Sequence, residues 1–177
     1  VPASEKGDEN DYTNLIKIVN KLTDFEITFI KVTDYNAAVE AMRAERAHIA
    51  WYGGKTYIKA AEIAYAEAFA AGVRPGEKDA GYYTYFVVKN DSKIKKFSEI
   101  KGKVLSLNSI GSTSGDLIPQ VELAKINLSI KNKEDFKNVF YAGSHDACLL
   151  AVLNKKADTC GMSSRNYEAR LADNTFN

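Results

Sequence analysis

Hydrophobic residues recur with the spacing of a helix in some stretches of this chain and with the two-residue alternation of a strand in others. Residues 12–22 place Leu15, Ile16 and Val19 at the spacing of an amphipathic helix. Residues 26–32 alternate apolar and polar side chains, which is typical of a half-buried strand. Because helical and strand patterns follow one another along the chain, we predict an α/β fold built on parallel sheets.

The remaining predicted elements continue this alternation. Asp34 can cap a second helix, since its carboxylate can accept an N–H group of the first helical turn. We predict further strands at residues 48–52, 68–73, 82–89, 104–107, 139–141 and 159–162, and further helices at residues 55–63, 113–126, 145–152 and 163–171. A turn at residues 90–92 interrupts the pattern, so we expect two lobes, residues 1–88 and residues 89–177.

The first candidate site is a run of hydroxyl side chains that we call the hydroxyl turn, Ser112-Thr113-Ser114-Gly115. It lies between a predicted strand and a predicted helix. The first N–H groups of a helix have no intrahelical partner and carry partial positive charge, so hydroxyls and a glycine there can hold a tetrahedral oxyanion. A plain helix cap without a ligand is the alternative, because serine and threonine begin many helices.

A second helix start lies downstream, where Ser144 and His145 follow another predicted strand. The carboxyl ends of parallel strands meet at one edge of a sheet, so both helix starts can face one crevice. An imidazole at such a position can donate a hydrogen bond to an oxyanion, although it can equally begin a helix without any ligand. We therefore expect a small anion to bind between the two helix starts.

Composition narrows the range of partners. The chain has 177 residues, of which 45% are hydrophobic, which is enough to form a buried core. Its net charge of +1 argues against nucleic acid as a partner. No run approaches the roughly 18 apolar residues of a membrane span. The spacing of Cys148 and Cys160 matches no zinc or redox motif. We expect both to pack in the core as thiols; a disulfide is one alternative, and a metal or catalytic role is another.

Five motifs together resemble those of a known family, the phosphonate-, phosphite- and phosphate-binding proteins of ABC transporters. They are Asp34-Tyr35, Ile49-Ala50-Trp51-Tyr52-Gly53-Gly54, Gly81-Tyr82-Tyr83, the hydroxyl turn with Pro119, and Ala142-Gly143-Ser144-His145-Asp146 followed by Ala151-Val152-Leu153. The resemblance implies a type II periplasmic-binding-protein fold with two α/β lobes, a hinge and a ligand cleft. It also implies a chain shortened at both ends, with Val1-Pro2 ending a strand whose beginning is missing.

The resemblance further implies which residues hold the ligand. They are Ser112, Thr113, Ser114, Gly115, Ser144 and His145 from the second lobe, and Trp51, Tyr52 and Tyr83 from the first. Where the family often has Tyr-Phe-Gly-Pro this chain has Trp51-Tyr52-Gly53-Gly54, which leaves open which aromatic faces the cleft.

By this resemblance the chain is an extracytoplasmic solute-binding protein of an ABC importer. We expect it to be a monomer that binds a small phosphorus oxyanion, requires no cofactor or metal, and delivers its ligand to a membrane permease. Its expected location is the periplasm or, with a lipid anchor, the outer face of the cytoplasmic membrane. Two alternatives are a sensing module partnered with a receptor kinase and a binder of a larger ligand such as thiamine pyrophosphate.

A serine hydrolase is a remote alternative, because a hydroxyl, His145 and Asp146 contain the residue types of a catalytic triad. Adjacent residues at a helix start point in different directions, so Asp146 is badly placed to orient the imidazole. The sequence contains no Gly-x-Ser-x-Gly motif. We therefore expect no enzymatic activity.

Overall fold

The computed structural model of the protein describes residues 9–173, with side chains from residue 12 onward. The expectation that Val1-Pro2 ends a strand lies outside the described residues. Three helices come first, α1 (Glu9–Leu22), α2 (Tyr35–Arg43) and α3 (Gly54–Ala64), and we call residues 9–64 the helical segment. Asp34 accepts a hydrogen bond from the N–H of Ala37, which confirms it as the cap of α2.

Residues 84–172 form a four-stranded sheet with flanking helices, which we call the sheet segment. The strands are β1 (Thr84–Val87), β2 (Val104–Leu107), β3 (Asn138–Tyr141) and β4 (Thr159–Ser163), in the spatial order β1-β4-β2-β3. The helices are α4 (Ile118–Lys125), α5 (His145–Leu153) and α6 (Ser164–Ala172), with shorter helical turns at Phe97–Ile100 and Thr113–Leu117.

The sheet is mixed rather than wholly parallel. β2 runs parallel to β3 and to β4, as predicted, whereas β1 pairs antiparallel with β4. The prediction of parallel strands therefore does not hold for the edge strand β1. An antiparallel edge strand on an otherwise parallel sheet is common in α/β proteins, and hydrophobic patterning cannot reveal the direction of an edge strand.

Two buried clusters lie on the two faces of the sheet. Leu105 and Leu107 of β2 point to the same face because strand side chains alternate, and they pack with Leu123 of α4. Val152 of α5 and Met162 of β4 belong to the cluster on the opposite face. The sheet segment is thus a three-layer α/β unit, and its central strands reach the edge where α4 and α5 begin.

The two cysteines form a disulfide bond, Cys148–Cys160, between α5 and β4. The expectation that they are free core thiols was therefore wrong, although both residues are fully buried as expected. The reason is geometric, because the packing of α5 on β4 brings their Cα atoms to 5.7 Å, within the range that a disulfide spans. Sequence spacing alone does not determine that distance.

Three strand predictions in the N-terminal half were wrong. Residues 26–32, 48–52 and 68–73 contain no strand. A strand exists only when its backbone pairs with a neighbour, and within the described part of the chain these runs make no such ladder. The prediction for residues 82–89 was confirmed over Thr84–Val87 alone. None of the described helices is both long and apolar enough to span a bilayer.

Candidate anion-binding site

A cavity of about 960 Å³ lies between the helical segment and the helix starts of the sheet segment. This size is within the usual range for small-molecule sites. Six predicted site residues line it: Ser112, Thr113, Ser114, His145, Trp51 and Tyr52. The structure thus brings both predicted helix starts and both neighbouring aromatic residues to one cavity.

Ser112 serves as the cap of the hydroxyl turn. Its Oγ accepts hydrogen bonds from the N–H of Gly115 at 3.0 Å and from Nδ2 of Asn108 at 3.3 Å. A Cβ atom on Gly115 would collide with the Asn108 side chain, so close packing requires glycine there. Ser112 and Gly115 therefore hold the turn in shape, as the helix-cap alternative predicts. The turn itself has π-helical geometry over Thr113–Leu117, and the regular helix begins only at Ile118.

The other two hydroxyls have different environments. Thr113 Oγ1 accepts a hydrogen bond from the backbone N–H of Lys55 at 2.9 Å, which attaches the start of α3 to the turn. Ser114 Oγ is nearly buried and has no hydrogen-bond partner among the described residues. The backbone N–H groups of Thr113 and Ser114 likewise have no acceptor in this part of the chain. Ser114 is thus the side-chain donor of the turn that remains available to a ligand.

His145 offers a neutral donor on the other side of the cavity. Its Nδ1 accepts a hydrogen bond from the backbone N–H of Ser163 at 3.3 Å, so in the neutral ring Nε2 carries the proton. Burial lowers the pKa of His145 to about 4, with Asp146 opposing the shift only in part. The imidazole is therefore uncharged at neutral pH and can donate a hydrogen bond through Nε2.

Asp146 does not support the imidazole. Both of its carboxylate oxygens accept hydrogen bonds from the Arg170 guanidinium, each at 2.6 Å. This bidentate pair joins α5 to α6 and leaves no carboxylate oriented toward His145 Nδ1, which already has the Ser163 amide. The three parts of a catalytic triad are therefore not assembled here.

The aromatic residues divide between the cavity wall and the surface. Trp51 lines the cavity and is about half exposed, whereas the Tyr52 hydroxyl donates a hydrogen bond to the carbonyl of Ala38 at 3.1 Å. Burial raises the pKa of Tyr52. Tyr83 is 74% exposed and lies outside the cavity wall. Ser144 caps α5 by accepting the N–H of Ala147, and it too lies outside the wall.

Two further charged residues lie in this region, of which sequence reasoning missed Asp116. Arg165 lines the cavity but donates hydrogen bonds to the carbonyls of Gly72, Ala80 and Gly81, so its guanidinium holds the preceding loop. Asp116, next to the hydroxyl turn, is buried and paired with Lys55. The sequence does hint at this pair, because Asp116 lies between Gly115 and an apolar run that is expected to be buried. A buried charge there requires a partner. No group of histidine, cysteine or carboxylate residues suited to a metal occurs within residues 12–173.

A known protein family matches almost the whole chain. The model of the phosphonate periplasmic substrate-binding proteins of ABC transporters matches residues 1–175. The chain belongs to this family. The match covers both helix starts and the whole described structure, so the resemblance noted from the motifs is confirmed.

Curated members of the phosphonate-binding family are similar to this chain at moderate identity. The phosphonates-binding periplasmic protein of Escherichia coli is 28% identical over 93% of this chain and 49% of its own length. A probable ABC transporter phosphite-binding protein, PhnD1 of Prochlorococcus marinus, is 29% identical over 89% of this chain and 54% of its own length. The chain thus spans about half the length of the curated relatives it matches.

Solved structures of the phosphonate-binding family share the fold. A binding-protein component of an ABC phosphonate transporter from Pseudomonas aeruginosa superposes with a TM-score of 0.81 at 27% identity, covering 95% of this chain and 57% of its own. The Prochlorococcus marinus PhnD1 structure, in complex with methylphosphonate, gives a TM-score of 0.76 at 24% identity over 95% of this chain and 64% of its own. The α/β architecture is therefore that of the family.

Proposed function

We propose that this chain binds a small phosphorus oxyanion, such as a phosphonate, phosphite or phosphate, as the solute-binding component of an ABC importer. The observation that carries the proposal is the pair of available donors on one cavity, Ser114 with its neighbouring N–H groups and the neutral His145. Rigid N–H, O–H and imidazole donors suit a phosphoryl oxyanion, because they supply directed hydrogen bonds without a covalent step.

The proposal extends to the way in which the protein works. The chain before β1 and the sheet segment act as two lobes that close on the ligand, by the hinge motion common in periplasmic binding proteins. The boundary expected at residues 88–89 moves to the start of β1, because β1 pairs with β4. The closed monomer delivers the anion to a membrane permease from the periplasmic side or from a lipid anchor. The protein acts without breaking a bond, which agrees with the engagement of Asp146 by Arg170 rather than by His145.

Two experiments test this proposal: melting temperatures with a panel of ligands, and the affinity of a variant that lacks the Ser114 hydroxyl. We expect methylphosphonate, phosphite or phosphate to raise the melting temperature selectively, since about 2.7 kcal/mol of stabilisation accompanies ligand at 100 times its Kd. Sulfate and thiamine pyrophosphate complete the panel. Isothermal titration calorimetry should then show that Ser114→Ala weakens binding by about 1 to 3 kcal/mol, or roughly 5- to 150-fold, the range for a hydrogen bond to a charged group.

The matched control is Ser98→Ala, which removes an exposed hydroxyl that does not line the cavity. It should bind as the unmodified protein does. A flat response to the whole panel would refute the proposed function. Unchanged affinity in Ser114→Ala, beside clear binding by the parent, would remove the hydroxyl turn from the site.

A further inference from the structure

A buried carboxylate lies directly next to the hydroxyl turn. Asp116 is 1% exposed and follows Gly115 in the chain. Its carboxylate accepts hydrogen bonds from the Gly111 N–H at 3.4 Å, from Gln120 Nε2 at 2.6 Å and from Tyr141 Oη at 2.7 Å. These donors are neutral and all lie in the sheet segment, so none of them cancels the negative charge of Asp116.

The cancelling charge comes from the helical segment. Nζ of Lys55, in the first turn of α3, lies 2.5 Å from Oδ2 of Asp116. Burial would raise the pKa of Asp116, but hydrogen bonds from Lys55 and Tyr141 outweigh this effect and hold the pKa below its usual value. Asp116 is thus ionised at neutral pH and fully buried, and its partner Lys55 is partly exposed.

The start of α3 is attached to the hydroxyl turn by further bonds. The Lys55 N–H donates to Thr113 Oγ1 at 2.9 Å, and Thr56 Oγ1 donates to the carbonyl of Gly111 at 2.9 Å. Lys55 therefore reaches Asp116 only when α3 is docked on the turn. Without that docking the turn retains an uncancelled negative charge.

We propose that Lys55 determines the anion affinity of the site by neutralising Asp116 beside the hydroxyl turn, so that an anion binds strongly only when the helical segment is docked. This inference rests on the proposed function. An anion held at Ser114 would be repelled by a bare carboxylate on the same turn, and such repulsion is strong in a partly buried site. Docking of α3 removes the repulsion and thereby couples the closed arrangement to ligand binding.

The test is a charge cycle on the two residues, measured with the panel anion that the parent protein binds. Lys55→Met leaves one net negative charge at the turn and should weaken binding about tenfold, or 1.4 kcal/mol. Asp116→Asn leaves one net positive charge and should strengthen binding. The double variant, Lys55→Met with Asp116→Asn, should return to near the parent affinity. The matched control is Lys59→Met, which removes a lysine of the same helix that contacts Asn36 instead.

The opposite changes in affinity expected for Lys55→Met and Asp116→Asn distinguish this inference from a purely structural role of the pair. If both single variants weaken binding alike, or if neither changes it, the neutralising role is refuted while the proposed function stands. Absence of binding in the parent protein refutes the proposed function and this inference with it. Should Asp116→Asn fail to fold by circular dichroism, Lys55→Arg takes its place: it must keep the affinity that Lys55→Met loses, and an equal loss refutes the inference.

Discussion

At the scale of single residues, three adjacent hydroxyls have three different tasks. Ser112 Oγ caps the turn, Thr113 Oγ1 accepts the Lys55 N–H, and Ser114 Oγ is left available to a ligand. The sequence marks all three as equivalent candidates. What distinguishes them is the position of Asn108 and α3, which local patterning does not contain.

His145 makes stability depend on pH in a defined window. Its pKa is about 4 in the folded protein against an ordinary value near 6.5, so the unfolded chain binds the extra proton first. The stability from the neutral buried ring is complete above pH 6.5 and is lost as the pH falls toward 4. We expect this loss to be roughly 3 kcal/mol.

Urea denaturation at pH 7 and pH 4 measures the effect. The side-chain amide in His145→Gln can still accept the Ser163 N–H. In this variant the free energy of unfolding should change less between pH 7 and pH 4 than in the parent, by about that amount. The same difference in both proteins would show that His145 does not titrate in this window. Because the ring stays neutral above pH 6.5, we expect no change in its role as a ligand donor between pH 7 and 8.

At the scale of elements, α5 is fixed to its neighbours by three kinds of contact. The disulfide Cys148–Cys160 joins it to β4, the Ser163 N–H binds His145 at its start, and Asp146 holds Arg170 of α6. Each cysteine lies three positions along its element from a member of the His145–Ser163 pair. The disulfide thus lies close to the contact that orients the imidazole.

Reduction of the disulfide should destabilise the fold. Closing a short loop, here with a sequence separation of 12, restricts the unfolded chain and typically contributes about 2 to 4 kcal/mol. We expect denaturation midpoints to fall when a reductant is added to the parent protein. The control is Cys148→Ala with Cys160→Ala, which should show no response to reductant, and an unchanged midpoint in the parent would contradict the expectation.

The strand predictions show how an element depends on its partners. The strands of the sheet segment were predicted within a few residues, since their apolar runs are paired in a buried sheet. Residues 26–32, 48–52 and 68–73 have comparable patterns but no pairing within the described chain. The alternation of apolar and polar residues indicates only that one face of a segment is buried. A strand also needs a neighbouring strand to pair with its backbone.

At the scale of the whole molecule, apolar burial is uneven. Both large buried clusters lie in the sheet segment. The helical segment and the residues after it leave large apolar side chains exposed, among them Leu15, Ile18, Leu22, Phe25 and Phe69. Local stability follows buried apolar contacts and paired backbone, so the two parts should differ in stability.

Hydrogen–deuterium exchange should reveal this gradient. Backbone amides of β2, β4 and α5 should exchange most slowly, because their opening disrupts a buried cluster. Amides of α1 and residues 26–32 should exchange fastest among those described. Adding the anion that the protein binds should slow exchange at the start of α3 and at the hydroxyl turn. These two parts are joined by the hydrogen bond from the Lys55 N–H to Thr113 Oγ1. Uniform exchange along the chain would contradict this picture.

The sequence by itself determined the α/β class, the strands and helices of the sheet segment, the two helix starts and the family. These follow from short-range patterns, since capping residues, periodicity and strand-to-helix turns are local. Tertiary structure alone decided the antiparallel edge strand, the disulfide, the free hydroxyl at Ser114 and the Lys55–Asp116 pair. The partners in that pair lie 61 positions apart. Such contacts depend on how whole elements dock, and no local pattern records that arrangement.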